Sequence, residues 1–225
     1  FDGDGDMDLA VSTTESTVSS GHLTFRQMLQ DDTDSIDGLA DAIAPVVSPD
    51  GLNVYVGGQA DHSLSLYSRD TSTGDLSLDD VIVDDSNGVD GLGGIAGIAV
   101  SPDGEHIYTA AQDDNAIGVF RKGSEFLSEK TISSTADGAV SVFTIDVDGD
   151  GDTDILTASQ EDDTIAWYEN NGSQVFTERI ITTDADMANS VFAMDVDGDD
   201  DIDVLSASDG NNKIAWYENN GSEVF

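Results

Sequence analysis

Two short stretches of the sequence place an aspartate at every second position. In the first, the aspartates are Asp146, Asp148, Asp150, Asp152 and Asp154. In the second, they are Asp195, Asp197, Asp199, Asp201 and Asp203. Positions 1, 3, 5 and 9 of each stretch offer carboxylates to the inside of a tight loop, and position 7 offers its backbone carbonyl. Hard oxygen ligands in this number suit Ca²⁺, whereas Mg²⁺ prefers to keep its waters.

A third, incomplete copy begins the sequence. It keeps Asp2, Asp4, Asp6 and Asp8 but has no residue at position 1. The copy at 195 also departs from the pattern, because Asp200 stands where the copy at 146 has Gly151 at the sharp bend. The sequence therefore predicts Ca²⁺ at the loops starting at Asp146 and Asp195 and leaves the first loop undecided. Solvated acidic turns without a cation are the alternative interpretation.

The loops do not have the sequence of an EF-hand. Thr157 and Ser206 occupy position 12, where that motif requires Glu. The sequence also lacks common catalytic patterns. His22, His62 and His106 are isolated, so they form no histidine pair for a transition metal, and there is no Gly-x-Ser-x-Gly elbow. Carboxylates occur in pairs throughout the chain, so they give no information on acid–base catalysis.

Composition excludes several classes of protein. The 225 residues carry a formal net charge of −40, with seven Lys and Arg against 47 Asp and Glu, and no Cys. A nucleic acid or an anionic membrane surface would be repelled, and no apolar run has the length of a membrane-spanning helix. So acidic a composition is compatible with disorder. However, 38% of the residues are apolar and fall in short alternating runs, which favours a folded all-β protein in a salt-rich or divalent-cation-containing environment.

An internal repeat predicts the fold. Ser141–Phe176 and Ser190–Phe225 are nearly identical at an offset of 49 residues. Each unit predicts four short strands, which in the first unit are Val142–Asp146, Ile155–Ser159, Ile165–Glu169 and Val175–Thr182. Weaker copies extend the pattern, with second-strand registers at Leu9, Val54, Ile107, Ile155 and Val204. We therefore expect a single β-propeller domain over residues 1–225, with about five four-stranded antiparallel blades, incomplete or part of a larger propeller. A β-sandwich is the weaker alternative, because it needs no fixed period.

The acidic loops identify the first of two resemblances. The blades that contain Asp2–Asp8, Asp146–Asp154 and Asp195–Asp203 resemble FG-GAP/VCBS repeats, the calcium-loop blades of integrin-like and bacterial surface propellers. The middle blades resemble YVTN/lactonase-type repeats through Val47-Ser-Pro-Asp-Gly51 and Val100-Ser-Pro-Asp-Gly104. The second resemblance would allow lactone hydrolysis, but the basic and histidine residues of that family have no clear match here.

Together these observations predict a calcium-stabilised, non-catalytic binding, adhesion or structural module. A lactonase-like propeller hydrolase is the alternative. We expect a bacterial or archaeal protein, extracellular or at the cell surface, from a marine or halophilic source. Carbohydrate or another surface protein is the expected partner, nucleic acid and membrane insertion are not expected, and self-association through an incomplete blade stays open. Trp167 and Trp216 are expected to pack between blades, with an aromatic carbohydrate platform as the alternative.

Overall fold

The computed structural model describes residues 26–32, 36–122, 129–221 and 225. Within these ranges the regular elements are fifteen β-strands, and no helix occurs among them. The strands form four sheets, and each sheet consists of consecutive strands paired in antiparallel order. The predicted all-β propeller fold is therefore confirmed. The first register, at Leu9, lies outside the described residues.

Each sheet is one blade, and the blades are numbered here in chain order. Blade 1 contains β1 (Ala42–Val47), β2 (Asn53–Gly58), β3 (Ser63–Arg69) and β4 (Leu76–Val83). Blade 2 contains β5 (Ile95–Val100), β6 (His106–Ala111), β7 (Ala116–Arg121) and β8 (Glu129–Ser133). Blade 3 contains β9 (Ala139–Ile145), β10 (Asp154–Ser159), β11 (Thr164–Asn170) and β12 (Phe176–Thr182). Blade 4 contains β13 (Ala188–Met194), β14 (Asp203–Ser208) and β15 (Lys213–Tyr217).

The registers at Val54, Ile107, Ile155 and Val204 all fall in the second strand of a blade, as predicted. In blade 3 the four strands lie within a few residues of their predicted bounds. The largest difference is at β9, which starts at Ala139 rather than Val142. Blade 4 shows three strands in the described part of the chain, where the other blades show four.

Both faces of blade 3 are buried because successive side chains of its strands point alternately towards blade 2 and blade 4. On β11, Ala166 and Tyr168 join a core cluster with residues of blade 2. Ile165 and Trp167, from the same strand, join a second cluster with residues of blade 4. A strand that is apolar on both faces cannot be satisfied by one sheet alone, so the blades must stack side by side.

The first strands of neighbouring blades lie next to one another. Thr144 of β9 donates a hydrogen bond from Oγ1 to the carbonyl of Val100 in β5, at 3.1 Å. Ser141 Oγ accepts one from the backbone N–H of Val191 in β13, at 3.3 Å. The approach is close enough that a Cβ added at Gly97 would lie 3.1 Å from the carbonyl oxygen of Val140. These contacts hold the first strands of blades 2, 3 and 4 side by side.

A second set of inter-blade bonds recurs at the turn between the second and third strands. His62 Nδ1 accepts the N–H of Gly94 at 2.7 Å, and Asn115 Oδ1 accepts that of Gly138 at 2.9 Å. Asp163 Oδ1 likewise accepts the N–H of Met187, at 2.8 Å. Each acceptor has a positive φ, between 50° and 58°, and holds the segment that leads into the next blade. We call these three residues the turn acceptors.

Candidate metal centre

The connection between the first and second strands is built in two ways. In blades 1 and 2 it is a Ser-Pro-Asp-Gly turn. Ser48 Oγ accepts the N–H of Asn53 at 2.9 Å and donates to Asp50 Oδ1 at 2.5 Å, and Ser101 repeats these bonds with His106 and Asp103. The bond from Ser48 holds the pKa of the Asp50 carboxyl below its usual value. In blades 3 and 4 the acidic loops make the same connection.

The acidic loop of blade 3 is organised by carboxylates that accept backbone N–H groups. Asp146 accepts from Gly149 at 2.8 Å and from Gly151 at 3.0 Å, one on each oxygen. Farther along, Asp148 accepts from the N–H of Asp150 at 3.1 Å. These bonds are local turns of the kind that aspartate favours, so the sequence alone folds the loop back on itself.

Three carboxylates converge in each loop. In blade 3, oxygen atoms of Asp146, Asp148 and Asp154 lie within 4.8 Å of one another. In blade 4 the converging residues are Asp195, Asp197 and Asp199. Among the other predicted metal residues, Asp150, Asp152, Asp201 and Asp203 lie outside these groups. Asp2, Asp4, Asp6 and Asp8 lie outside the described residues.

The last aspartate of each loop is the first residue of a strand and is fully buried. Asp154 is 0% exposed and accepts the N–H of Val147 on Oδ2 at 3.0 Å and that of Asn170 on Oδ1 at 2.8 Å. Asp203 repeats the arrangement with the N–H groups of Val196 and Asn219, at 3.1 and 2.8 Å. Each of these carboxylates therefore joins the acidic loop to the hairpin between the third and fourth strand positions.

Repulsion between like charges destabilises the ionised carboxylates of the loops. Burial raises the pKa of the Asp148 carboxyl, and the charges of Asp150, Asp146 and Glu169 raise it further. Burial also raises the pKa of Asp154 to about 6, against the opposing effect of its two backbone hydrogen bonds. In blade 4, partial desolvation and the charges of neighbouring carboxylates raise the pKa of Asp197. A cation placed among these groups would relieve the repulsion.

A cavity lies between the loops of blades 3 and 4. Its volume is about 240 Å³, and its lining includes Asp146, Asp148, Asp200, Asp201 and Asn219. The lining is mostly of oxygen-bearing side chains, with no histidine among them. The donor set in both loops is thus carboxylate oxygen, which fits a hard divalent cation such as Ca²⁺ and does not suit a softer transition metal.

The departure at position 6 of the second loop does not change its backbone conformation. Asp200 has φ 75°, in the left-handed region that Gly151 occupies in the first loop with φ 95°. Asp195 also keeps the bonds of its counterpart, since it accepts the N–H groups of Gly198 and Asp200 at 2.7 and 3.2 Å. The loop therefore keeps these backbone turns with a non-glycine residue in the left-handed region.

We expect the change Asp200→Gly to stabilise the chain by about 1 kcal/mol, because it removes a left-handed non-glycine residue. The measurement is urea unfolding followed by circular dichroism in the presence of chelator. The reverse change, Gly151→Asp, is the matched control and should destabilise by a similar amount. Two variants with the stability of the natural chain would show that neither bend is strained.

Some residues that shape the acidic loops were not identified from the sequence. Asn170 and Asn219 were predicted only as turn residues, yet their N–H groups hold Asp154 and Asp203. The equal spacing of 16 residues between each pair was the available signal. Two further acidic groups, in blades 1 and 2, also lie outside the predicted set: Asp31, Asp37 and Asp61, and Asp84, Asp90 and Asp114. Their members recur at an offset of 53 residues.

Comparison with solved structures agrees with this architecture. The chain is similar to the periplasmic gluconolactonase PpgL of Pseudomonas aeruginosa, with a TM-score of 0.51 and 16% identity over 63% of this chain and 39% of that chain. It is also similar to a nidogen–laminin complex structure, with a TM-score of 0.58 and 15% identity over 79% of this chain and 60% of that chain. A structure of RRP9 WD40 repeats gives a TM-score of 0.55 and 13% identity over 78% of this chain and 50% of that chain.

Fold and site together define the class: the chain is a β-propeller protein. Residues 146–206, which include both acidic loops, match the FG-GAP-like repeat family. The suspected FG-GAP resemblance is thus confirmed for this part of the chain. No curated protein matches the sequence. The chain spans 38%, 43% and 39% of the length of three gluconolactonase-type structures that it matches. None of the described elements is a helix long and apolar enough to cross a bilayer.

Proposed function

We propose that the chain is a calcium-stabilised, non-catalytic binding or structural module of an extracellular or cell-surface protein. The observation that carries the proposal is the convergence of three carboxylates in the same loop of two consecutive blades. A cation in each loop would fix the connection between the first and second strands, next to the interface of blades 3 and 4. The cation would then keep the connection between the first and second strands rigid, and no chemical step is assigned to it.

The proposed location follows from charge and calcium availability. A chain with a net charge of −40 repels itself, and salt or bound cations reduce that repulsion. Extracellular modules bind Ca²⁺ with dissociation constants of roughly 10⁻⁴–10⁻³ M, an affinity that partly exposed loops can supply. A marine or otherwise salt-rich source agrees with both points.

The contacts of the described histidines support a non-catalytic role. His62 uses Nδ1 to accept the N–H of Gly94, so it serves the packing of blades 1 and 2. His106 pairs its ring with Tyr108, at 6.3 Å between centroids. Lactone hydrolysis was the alternative, and the likeness to gluconolactonases at 16% identity extends to the fold alone. His22 lies outside the described residues.

The partner of the module is proposed to be carbohydrate or another surface protein, as the sequence predicts. Trp167 cannot serve as an aromatic platform, because it is 1% exposed. Its packing between blades 3 and 4 confirms the simpler interpretation of this residue. Trp216 is 47% exposed and keeps an accessible ring.

Calcium is expected to raise the melting temperature relative to chelator, and the increase should grow with calcium concentration. Binding to the native state at 100 times the dissociation constant adds about 2.7 kcal/mol, which for a chain of this size corresponds to roughly 5–10 °C. The measurement is differential scanning calorimetry in chelator and at several calcium concentrations up to 10 mM, on the order of ten times the weakest dissociation constant expected.

The combined variant Asp148→Asn and Asp197→Asn tests whether the loops are responsible. Each change removes one carboxylate from a converging group, so the calcium-induced increase should shrink strongly. Asp184→Asn is the matched control, because it removes a charge from an exposed residue outside the loops. A melting temperature that does not respond to calcium, or a response that survives the double change, would refute the proposal.

A further inference from the structure

Three Asn-Gly pairs occur in the sequence, and each follows a strand. They are Asn87-Gly88, Asn171-Gly172 and Asn220-Gly221. The three asparagines are exposed, and the three glycines have positive φ values between 74° and 85°. Because glycine has no Cβ, its backbone nitrogen can approach the preceding asparagine side chain more closely than that of any other residue. These pairs are therefore the places where asparagine can react with its own main chain.

The reaction of an Asn-Gly pair needs only water. The glycine backbone nitrogen loses its proton to solvent and attacks Cγ of the asparagine, so that a C–N bond forms. The bond from Cγ to Nδ2 breaks, Nδ2 takes up a proton and leaves as ammonia, and a cyclic succinimide remains. Water then adds to one of the two ring carbonyls and opens the ring, which gives aspartate or isoaspartate. The rate depends on how often the nitrogen and Cγ reach an attack geometry.

In blade 3, hydrogen bonds oppose this geometry. The N–H of Gly172 donates to Asn170 Oδ1 at 3.2 Å. Asn171 Oδ1 accepts the N–H of Ser173 at 3.0 Å, and the N–H of Asn171 donates to the carbonyl of Val175 at 3.2 Å. The attacking nitrogen and the side chain that it would attack are therefore both held in place.

The pair in blade 4 is held in the same way at its glycine nitrogen. The N–H of Gly221 donates to Asn219 Oδ1 at 3.1 Å. Both glycines also lie against the acidic loops. A Cβ added at Gly221 would lie 2.7 Å from Asp201 Oδ2, and one added at Gly172 would overlap the Asp152 carboxylate. These two turns therefore have little room to rearrange.

The pair between blades 1 and 2 has different surroundings. Asn87-Gly88 lies in the connection from β4 to β5. Within the described residues, the N–H of Gly88 has no hydrogen-bond acceptor and the Asn87 side chain has no hydrogen-bond partner. A Cβ added at Gly88 would have no atom within 4 Å, so this turn has open space around it. The turn bond from the N–H of Val89 to the carbonyl of Ser86, at 3.0 Å, leaves both reacting groups free.

We propose that Asn87 is a site of spontaneous modification, at which the folded chain forms aspartate and isoaspartate, whereas Asn171 and Asn220 are protected by their turns. The three dipeptides are identical, so their rates differ only through their surroundings. A hydrogen bond with a net value of about 1 kcal/mol lowers the population of the attack geometry about fivefold. We therefore expect Asn87 to convert at least about fivefold faster than either of the other two asparagines.

The modification changes the connection between blades 1 and 2. Asp84 Oδ1 accepts the N–H of Leu92 at 3.0 Å and so holds the entry to blade 2. Asp84 also belongs to a group of converging carboxylates with Asp90 and Asp114. Conversion of Asn87 adds one more negative charge to this segment, and isoaspartate lengthens its main chain by one carbon atom. Within the described residues, this connection is therefore the part of the chain that changes covalently with age.

The test follows the three asparagines in the same molecule. The natural chain is incubated at neutral pH in chelator, so that the outcome does not depend on the proposed calcium sites. Peptide mapping by mass spectrometry measures conversion at each position, and methylation by a protein isoaspartyl methyltransferase measures isoaspartate. A parallel sample is incubated unfolded in urea. We expect Asn87 to lead in the folded chain and the three positions to convert at nearly equal rates in the unfolded chain.

Two variants identify the cause of the difference. Asn87→Gln removes the reactive side chain and should remove most of the isoaspartate of the folded chain. Asn170→Ala removes the acceptor of the Gly172 N–H, while the backbone N–H of residue 170 can still donate to Asp154, and should raise conversion at Asn171. Circular dichroism in chelator shows whether this variant is folded, and the comparison within the natural chain decides if it is not.

The proposal is overturned if the three asparagines convert equally in the folded chain. It is also overturned if Asn87 stays unmodified in the folded chain over a time in which the unfolded sample has converted. A folded Asn170→Ala variant that leaves Asn171 as protected as before would contradict the assigned cause of protection and would overturn the proposal as well.

Discussion

Trp167→Ala is expected to lower the free energy of unfolding by about 3–5 kcal/mol, whereas Trp216→Ala should lower it by less than about 1 kcal/mol. The two residues occupy the same position of the same strand sequence, 49 residues apart. Trp167 is 1% exposed, and Trp216 is 47% exposed. The difference therefore measures the blade interface and not the intrinsic preference of tryptophan for a strand.

The environment of Trp167 explains the size of the effect. Its ring contacts Phe225 edge-on at 6.3 Å between centroids, and the Arg179 guanidinium lies over the ring, 5.2 Å from its centroid. Alanine would leave a cavity among Leu156, Ala188 and Val204, which belong to the same cluster. Urea unfolding followed by circular dichroism measures both variants without relying on tryptophan emission. Equal losses for the two variants would contradict the assignment of this interface.

Much of the fold could be predicted because the sequence contains two nearly identical copies of the repeat. The strands around Ile155 and Val204 follow from alternating apolar residues between turn residues, and the offset of 49 residues identifies the blade. The exposure of Ile165 and Ile214 could not be predicted in the same way, because their local sequences are the same. Burial on a propeller blade depends on the neighbouring blade, which is not a local property.

The candidate site was predicted in type but not in detail. The alternating aspartates indicated carboxylate loops, and the structure has converging carboxylates in both described loops. The sequence could not tell which carboxylates would converge, because the two loops differ in this respect although their aspartates have the same spacing. Asp150 lies outside the group of Asp146, Asp148 and Asp154, whereas its counterpart Asp199 belongs to the group with Asp195 and Asp197.

The two kinds of blade stabilise the connection between their first and second strands with different residues. In blades 1 and 2 a serine hydroxyl closes the short turn between the first two strands, as Ser48 does with Asn53. In blades 3 and 4 the connection is longer, and aspartates such as Asp146 and Asp195 accept the loop N–H groups. The serine turn is complete with its own hydrogen bonds, whereas the aspartate loop concentrates negative charge. Calcium dependence is therefore expected from blades 3 and 4.

Asp154→Ala is expected to destabilise the chain by about 2–5 kcal/mol even in chelator. The Asp154 carboxylate is fully buried and accepts the N–H groups of Val147 and Asn170. Alanine leaves both donors buried without an acceptor, at about 1–3 kcal/mol each, and the removal of one charge from the loop offsets part of the loss. Asp154→Asn keeps one acceptor oxygen and should give an intermediate loss.

Asp150→Ala is the matched control, because the Asp150 carboxylate is exposed and accepts only from the neighbouring turn. Its loss should stay below about 1 kcal/mol. Chelator separates this test from calcium binding, since no cation is then available to either variant. If Asp154→Ala and Asp150→Ala unfold at the same urea concentration, the buried carboxylate does not join the loop to the hairpin. If the Asp154→Ala loss appears only when calcium is present, the carboxylate acts as a ligand rather than as an acceptor for the backbone.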